Sequence, residues 1–164
     1  EMGTRVDTDD DLIRVRSVGL HRAVNIKTQV YPGFPTDLQQ PMSALLCTAR
    51  GVGRITETIF EQRFRHLEEM ARMGANVHID DRIAIVEGVI NLAGAPVYTT
   101  DLRAGAALVI AGLMAQGPTE IGNTHYIDRG YEQLERKLCH LGANIRRIIV
   151  EDQSPLVAEP SPCL

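Results

Sequence analysis

The 164 residues are 44% apolar and carry 17 basic against 21 acidic side chains, a net charge of −4. That is enough apolar matter for a folded core and too little for a disordered chain, and one domain is the expectation at this length. No basic stripe calls for nucleic acid, and the charge-free stretch Ala104 to Gly117 is too short to cross a bilayer.

In chain order, residues 1–16 read as a hairpin. Arg5-Val6-Asp7 and Ile13-Arg14-Val15-Arg16 alternate around the acidic turn Asp9-Asp10-Asp11. Val24 to Val30 reads as a strand. Tyr31-Pro32-Gly33-Phe34-Pro35 cannot be helix, because each proline restricts the residue before it. Thr36 or Asp37 is then expected to cap a helix with Leu38, Met42, Leu45 and Ala49 on its inner face. A strand over 54–59 leads to a second helix, on which Phe64, Leu67 and Ala71 share a face and which Gly74 ends. Val77–Ile79 and Arg82–Ile85 form another hairpin, turning at Asp80-Asp81.

The same order then returns. Leu102, Ala106, Val109 and Leu113 mark a helix, and Tyr131, Leu134, Leu138 and Leu141 mark the next, ended by Gly142. Gly51 to Arg63 and Gly117 to Arg129 have the same spacing, and Met73-Gly74-Ala75-Asn76-Val77 returns as Leu141-Gly142-Ala143-Asn144-Ile145. A third version, Met2-Gly3-Thr4-Arg5-Val6, opens the chain. So long a period indicates a repeated βαβ-type subdomain and not a short solenoid unit. The expected division is 1–27 as the end of one repeat, 28–94 as a second and 95–150 as a third, with 151–164 a disordered tail. Starting inside a repeat, the chain reads as a piece of a longer protein. Helix 102–115 is apolar on every side, which implies burial on every side, while the strands alternate and leave each sheet one wet face. The expected fold is therefore α/β with helices inside and sheets outside.

Each repeat offers an acid at one helix start and an arginine before the next. Asp37 and Asp101 can act as simple N-caps, and a cap can also take a proton from a hydroxyl. Arg63 and Arg129 sit at the unfavourable end of a helix for a cation, which suits either a pairing with Glu61 or Asp128 or the grip of an anion. Arg103 can pair with Asp101. Fifteen of the basic residues are arginine, the side chain suited to bidentate grip on carboxylate or phosphate. His66, His78, His125 and His140 lack zinc spacing and read as packing or surface residues. Cys47, Cys139 and Cys163 form neither a metal set nor a disulfide framework; the first two read as core, and reduced thiols suit a cytoplasmic protein.

Tyr31-Pro32-Gly33-Phe34-Pro35-Thr36-Asp37-Leu38-Gln39, Ile55-Thr56-Glu57-Thr58-Ile59-Phe60-Glu61-Gln62-Arg63-Phe64, Thr100-Asp101-Leu102-Arg103-Ala104 and Ile127-Asp128-Arg129-Gly130-Tyr131-Glu132 together resemble the enolpyruvyl transferase family, in particular its branch acting on UDP-N-acetylglucosamine. The resemblance runs from Glu1 to about Ile148. It implies an inside-out α/β barrel of βαβαββ subdomains. It also implies transfer of the enolpyruvyl group of phosphoenolpyruvate to the 3-hydroxyl of UDP-N-acetylglucosamine, with phosphate leaving through a tetrahedral intermediate and no cofactor or metal. By the same resemblance, Asp37 holds and deprotonates the hydroxyl, the Ile59 backbone touches the nucleotide sugar, and Arg63, Arg103 and Arg129 line the active site. Arg129 would hold phosphoenolpyruvate, and Asp101 is a second acid in the cleft. The family's catalytic cysteine loop, its N-terminal lysine and asparagine and most of its uridine site lie outside this stretch, and none of the three cysteines matches that cysteine. The implied partners are the two substrates and the missing N-terminal domain, with no nucleic acid and no membrane. The chain alone is expected to be inactive and to self-associate through apolar helix flanks. The alternatives are the shikimate-pathway branch, 5-enolpyruvylshikimate-3-phosphate synthase, and a non-catalytic binding or structural segment.

Overall fold

The computed structural model describes residues 1–17 and 19–149. The tail expected over 151–164, with Cys163, lies outside the described residues.

Glu1–Leu134 form one compact unit. Strands β1 (Arg5–Asp9) and β2 (Leu12–Arg16) make the predicted antiparallel hairpin, with Val6 opposite Val15 and Asp7 opposite Arg14. The next strand is shorter than expected: only β3 (Ile26–Lys27) pairs, in parallel with β4 (Val52–Thr56). The chain beyond β3 loops out, and Phe34 returns to accept a hydrogen bond from the Gln29 amide at 2.9 Å. Strand β4 also pairs antiparallel with β6 (Ile83–Glu87), which pairs with β5 (Asn76–Asp80), giving the order β3-β4-β6-β5. The hairpin between β5 and β6 turns where Asp80-Asp81 predict it. A two-stranded parallel pair, β7 (Pro96–Tyr98) with β8 (Glu120–Gly122), repeats the β3–β4 relation in the next repeat.

Helices α1 (Gln39–Leu46) and α2 (Arg65–Arg72) line the inner side of the four-stranded sheet, and α3 (Leu102–Met114) packs against both of them. The packing of the three helices on one another, of α1 on β4 and β6 and of α2 on β5 encloses the core, where Leu46, Ile55, Leu67, Met70, Val86 and Leu108 are fully buried. The opposite side of the sheet is wet, with Val52, Arg54 and Ile83 exposed. Helices inside and a half-wet sheet outside match the expectation; the described residues form part of such a wall and do not close a barrel. Helix α2 ends as Gly74 predicts. Its φ of +87° lies in the left-handed region, and the Ala75 amide reaches back to the Met70 carbonyl at 3.1 Å.

Three expectations on helix faces need correction. Helix α1 buries Gln39, Gln40, Ser43, Ala44 and Leu46, whereas Leu38 is exposed and Met42 and Leu45 are half-buried. Gln40 and Ser43 face inward because they meet Asp101 at the start of α3 and His66 of α2, described below. On α2, Met70 is buried and Ala71 is exposed. Helix α3 is not covered all round: Ile110 and Leu113 are exposed, being turned away from α1 and α2.

The helix expected over 131–141 is broken. A single turn, α4 (His125–Asp128), comes first, then a bend with Gln133 at φ +47°, then α5 (Leu134–His140). Ile127 packs against Gly105 of α3 so closely that a Cβ there would lie 2.5 Å from its Cγ1. A second compact unit starts at Glu135. Within it Gly142, at φ +94°, ends α5 with the Ala143 amide on the Leu138 carbonyl at 3.0 Å, and Arg147 pairs with Glu135 at 3.3 Å.

Candidate active site

Pro35 is extended, with φ −71° and ψ 136°, and a short 3-10 segment follows it, Thr36–Leu38, closed by the Leu38 amide on the Pro35 carbonyl at 3.0 Å. Helix α1 therefore starts after Asp37, with Leu38 at its N-cap and no side-chain cap. The capping role expected of Thr36 or Asp37 is not filled. Asp37 instead sits between two arginines: Arg63 Nη2 donates to its Oδ1 at 2.8 Å and Arg103 Nη2 to its Oδ2 at 2.7 Å. Burial opposes its charge, but the two guanidiniums outweigh that and hold the carboxyl below the usual carboxylate range.

Asp101 does cap its helix. Its backbone is extended, and Oδ1 accepts from the amides of Arg103 at 2.9 Å and Ala104 at 2.8 Å. The pairing of Arg103 with Asp101 gives way to the longer reach to Asp37. Since α1 and α3 lie side by side, their starts meet: Gln40 Nε2 donates to Asp101 Oδ2 at 3.3 Å.

Arg63 does not pair with Glu61, which is held by Arg82 at 2.7 Å. Besides Asp37, Arg63 donates from Nη1 to Thr36 Oγ1 at 3.0 Å and lies over the Phe60 ring, 4.7 Å from its centroid. Arg129 falls after α4, at its C-cap, and not at a helix start. It enters no ion pair among the described residues, so its pairing with Asp128 is absent too.

Asp37, Arg63, Asp101, Arg103 and Arg129 line one cleft of about 670 Å³ within the first unit. Its walls carry four arginines, with Arg65 the fourth, against three carboxylates, with Glu61 the third. Such a surface suits an anion with planar oxygens. Ile59 does not line the cleft. Its amide donates to Glu57 Oε1 at 2.8 Å, while the neighbouring Phe60 forms part of the wall.

Behind the cleft lies a buried polar cluster missed by the sequence reading. Ser43 Oγ donates to the Gln40 carbonyl at 2.7 Å and meets His66 Nε2 at 2.6 Å. Burial pushes the His66 imidazole down to about 3, against the pull of the Asp101 carboxylate. Cys47 is in the core as expected, its thiol pushed up to about 12 by burial, whereas Cys139 is exposed and not core. The last helix is too thinly covered to bury Cys139.

Residues 1–138 match the family described as EPSP synthase (3-phosphoshikimate 1-carboxyvinyltransferase), and the chain belongs to this family of enolpyruvyl transferases. It is 58% identical over 148 residues to UDP-N-acetylglucosamine 1-carboxyvinyltransferase 3 of Caldanaerobacter subterraneus, covering 90% of this chain and 36% of that protein. UDP-N-acetylglucosamine 1-carboxyvinyltransferase 2 of Carboxydothermus hydrogenoformans is 55% identical over 150 residues, with the same two coverages, 90% and 36%. The chain thus spans about a third of the length of these relatives. Among solved structures, the enolpyruvyl transferase NikO from Streptomyces tendae superposes with a TM-score of 0.81 at 33% identity, over 88% of this chain and 34% of that one.

Proposed function

We propose that this chain supplies one wall of the active site of an enzyme that transfers the enolpyruvyl group of phosphoenolpyruvate to the 3-hydroxyl of UDP-N-acetylglucosamine, the first committed step of peptidoglycan synthesis, in the cytoplasm. The observation that carries the reading is Asp37 clamped between Arg63 and Arg103 at 2.8 and 2.7 Å in an arginine-walled cleft. The relatives at 55–58% identity support the acceptor.

In this reading Asp37 holds the acceptor hydroxyl and takes its proton. A carboxylate gripped by two guanidiniums is a poor base. The phosphate and carboxylate of phosphoenolpyruvate compete with Asp37 for Arg63 and Arg103. Once they draw the guanidiniums away, the carboxyl is released to a higher pKa and to the hydroxyl. Arg129, in no ion pair among the described residues, takes the donor's remaining charge. Asp101, with Oδ1 engaged in capping, keeps α3 and hence Arg103 in place and offers only Oδ2 to the cleft. At Ile59, where the amide is engaged by Glu57, the carbonyl is the group left for the sugar.

The opposite wall belongs to another domain of the whole protein, and positioning and transition-state stabilisation need both walls. The test is phosphate release by the whole protein. Release with phosphoenolpyruvate and UDP-N-acetylglucosamine, none with shikimate 3-phosphate as acceptor, and none from this chain alone are expected. Release with shikimate 3-phosphate only would overturn the choice of acceptor.

A further inference from the structure

Glu57 follows the inward phase of β4: Gly53 and Ile55 are buried, and so is Glu57, with 1% of its surface exposed. A carboxylate this buried calls for partners. None of its four is a cation. Thr28 Oγ1 donates to Oε1 at 2.8 Å, the amides of Ile59 and Phe60 donate to the same oxygen at 2.8 and 3.2 Å, and Thr36 Oγ1 donates to Oε2 at 2.8 Å. Burial acts against the charge, and these donors outweigh it, holding the carboxyl below its ordinary range. An ionised carboxylate has about two acceptor positions on each oxygen; three donors crowd Oε1, and Thr36 alone holds Oε2. Buried as it is, Glu57 is out of a substrate's reach.

The direction of these bonds matters more than their number. An ionised carboxylate only accepts, so the single hydroxyl hydrogen of Thr36 must point at Glu57. The lone pairs of that hydroxyl are thereby turned towards Arg63, whose Nη1 donates to it at 3.0 Å. The result is a one-way relay, Arg63 to Thr36 to Glu57. It fixes the rotation of the guanidinium and leaves Nη2 facing the cleft, on Asp37. A second arm runs through the backbone. By holding the Ile59 and Phe60 amides, Glu57 sets the turn that places the Phe60 ring against Arg63. Arg63 is gripped at one edge and on one face, and both grips trace to Glu57.

We infer that Glu57 is a positioning residue for anion binding: through Thr36 and the 59–60 turn it presets the Arg63 guanidinium in the orientation that receives the anionic substrate. The inference rests on the reading of the cleft given above, and the experiment separates the two.

The relay is tested in the whole protein by 15N NMR of the Arg63 guanidinium, which reports rotation about its Nε–Cζ bond, and by titration with inorganic phosphate. Glu57→Gln is nearly isosteric but puts an NH₂ donor, or a neutral acceptor, against Thr36, so the hydroxyl is free to turn its hydrogen on Arg63. Thr36→Val removes the relay without altering the carboxylate and guards against misfolding of Glu57→Gln; Thr36→Ser restores the hydroxyl. Both disruptive variants are expected to speed guanidinium rotation and weaken phosphate binding about tenfold, the span of one charge-assisted hydrogen bond. Thr36→Ser should behave as wild type, and in an Arg63→Ala background Glu57→Gln should change phosphate binding no further. Unchanged rotation in both disruptive variants would overturn the relay. So would an equal loss of phosphate binding with and without Arg63, since that marks a general structural role. Faster rotation in a protein that binds no phosphate would uphold the relay and refute the anion site.

Discussion

Asp37 and Asp101 hold equivalent places in two repeats, and the structure uses them in opposite ways. Asp101 follows strand β7 through Thr99 and Thr100. Its backbone can be extended, with φ −159° and ψ 173°, and its side chain caps α3. Asp37 follows Pro35 and is carried past the cap position by a 3-10 turn, so α1 begins uncapped and the carboxylate is left to the arginines. The arginines diverge likewise. Arg63 is held by Thr36, Asp37 and Phe60, while Arg129 enters no ion pair among the described residues. Duplicated sequence fixes the backbone theme. The 3-10 turn after Pro35 separates the acid that the arginines hold from the acid that caps its helix.

The largest effect expected from breaking this contrast is on turnover. Asp37→Asn in the whole protein should lower kcat by about 10²–10⁴-fold, the span of a general base, with little change in Tm because no cap is lost. Steady-state kinetics with a thermal melt checks both; unchanged kcat would reduce Asp37 to an ion-pair residue.

The next effect concerns the cluster behind the two helix starts. His66 is neutral in the folded state, with a pKa of about 3 against an ordinary 6.5. Between those values the unfolded chain binds the extra proton, so stability rises with pH there. On acidification it should begin to fall near pH 6.5 and continue to fall towards pH 3, by a few kcal/mol. Urea melts across that range should show the slope, and His66→Gln should flatten it.

A smaller effect separates the two acids by stability alone. Asp101→Ala should cost about 1 kcal/mol through loss of the cap, and Asp101→Asn much less. Asp37→Ala should cost within about 0.5 kcal/mol, as for other half-exposed ion pairs. Chemical denaturation of the four proteins checks the order; equal losses for the two alanine variants would erase the distinction.

Much of this was legible in the sequence because it follows from local rules. Alternation around Asp10 and around Asp81 gave both hairpins, Gly74 and Gly142 gave the helix ends, and the spacing of the repeats gave the paired acids and arginines. The motif resemblance brought Asp37, Arg63, Asp101, Arg103 and Arg129 together, and all five line one cleft. What could not be read depended on tertiary partners. Periodicity assigns the inner face of α1 to its apolar residues, yet Gln40 and Ser43 are buried because Asp101 and His66 lie opposite. Closeness in sequence pairs Arg103 with Asp101, because nothing local shows that α1 packs beside α3. Periodicity alone puts Arg129 at a helix start and does not reveal the break at Gln133. Glu57 did leave a signal: a charged residue on the inward phase of a strand, after Gly53 and Ile55, announces a buried carboxylate with a task.

An anionic substrate that takes over the arginines holding Asp37 must change the titration of that carboxyl. The direct measurement is a 13C NMR titration of the Asp37 carboxyl in the whole protein, with and without phosphoenolpyruvate. Free protein should show a pKa below the ordinary carboxylate value, and saturation with phosphoenolpyruvate should raise it as Arg63 and Arg103 turn to the ligand. A pKa that stays low in the saturated protein would mean that the clamp on Asp37 survives binding and that this carboxylate is not the base.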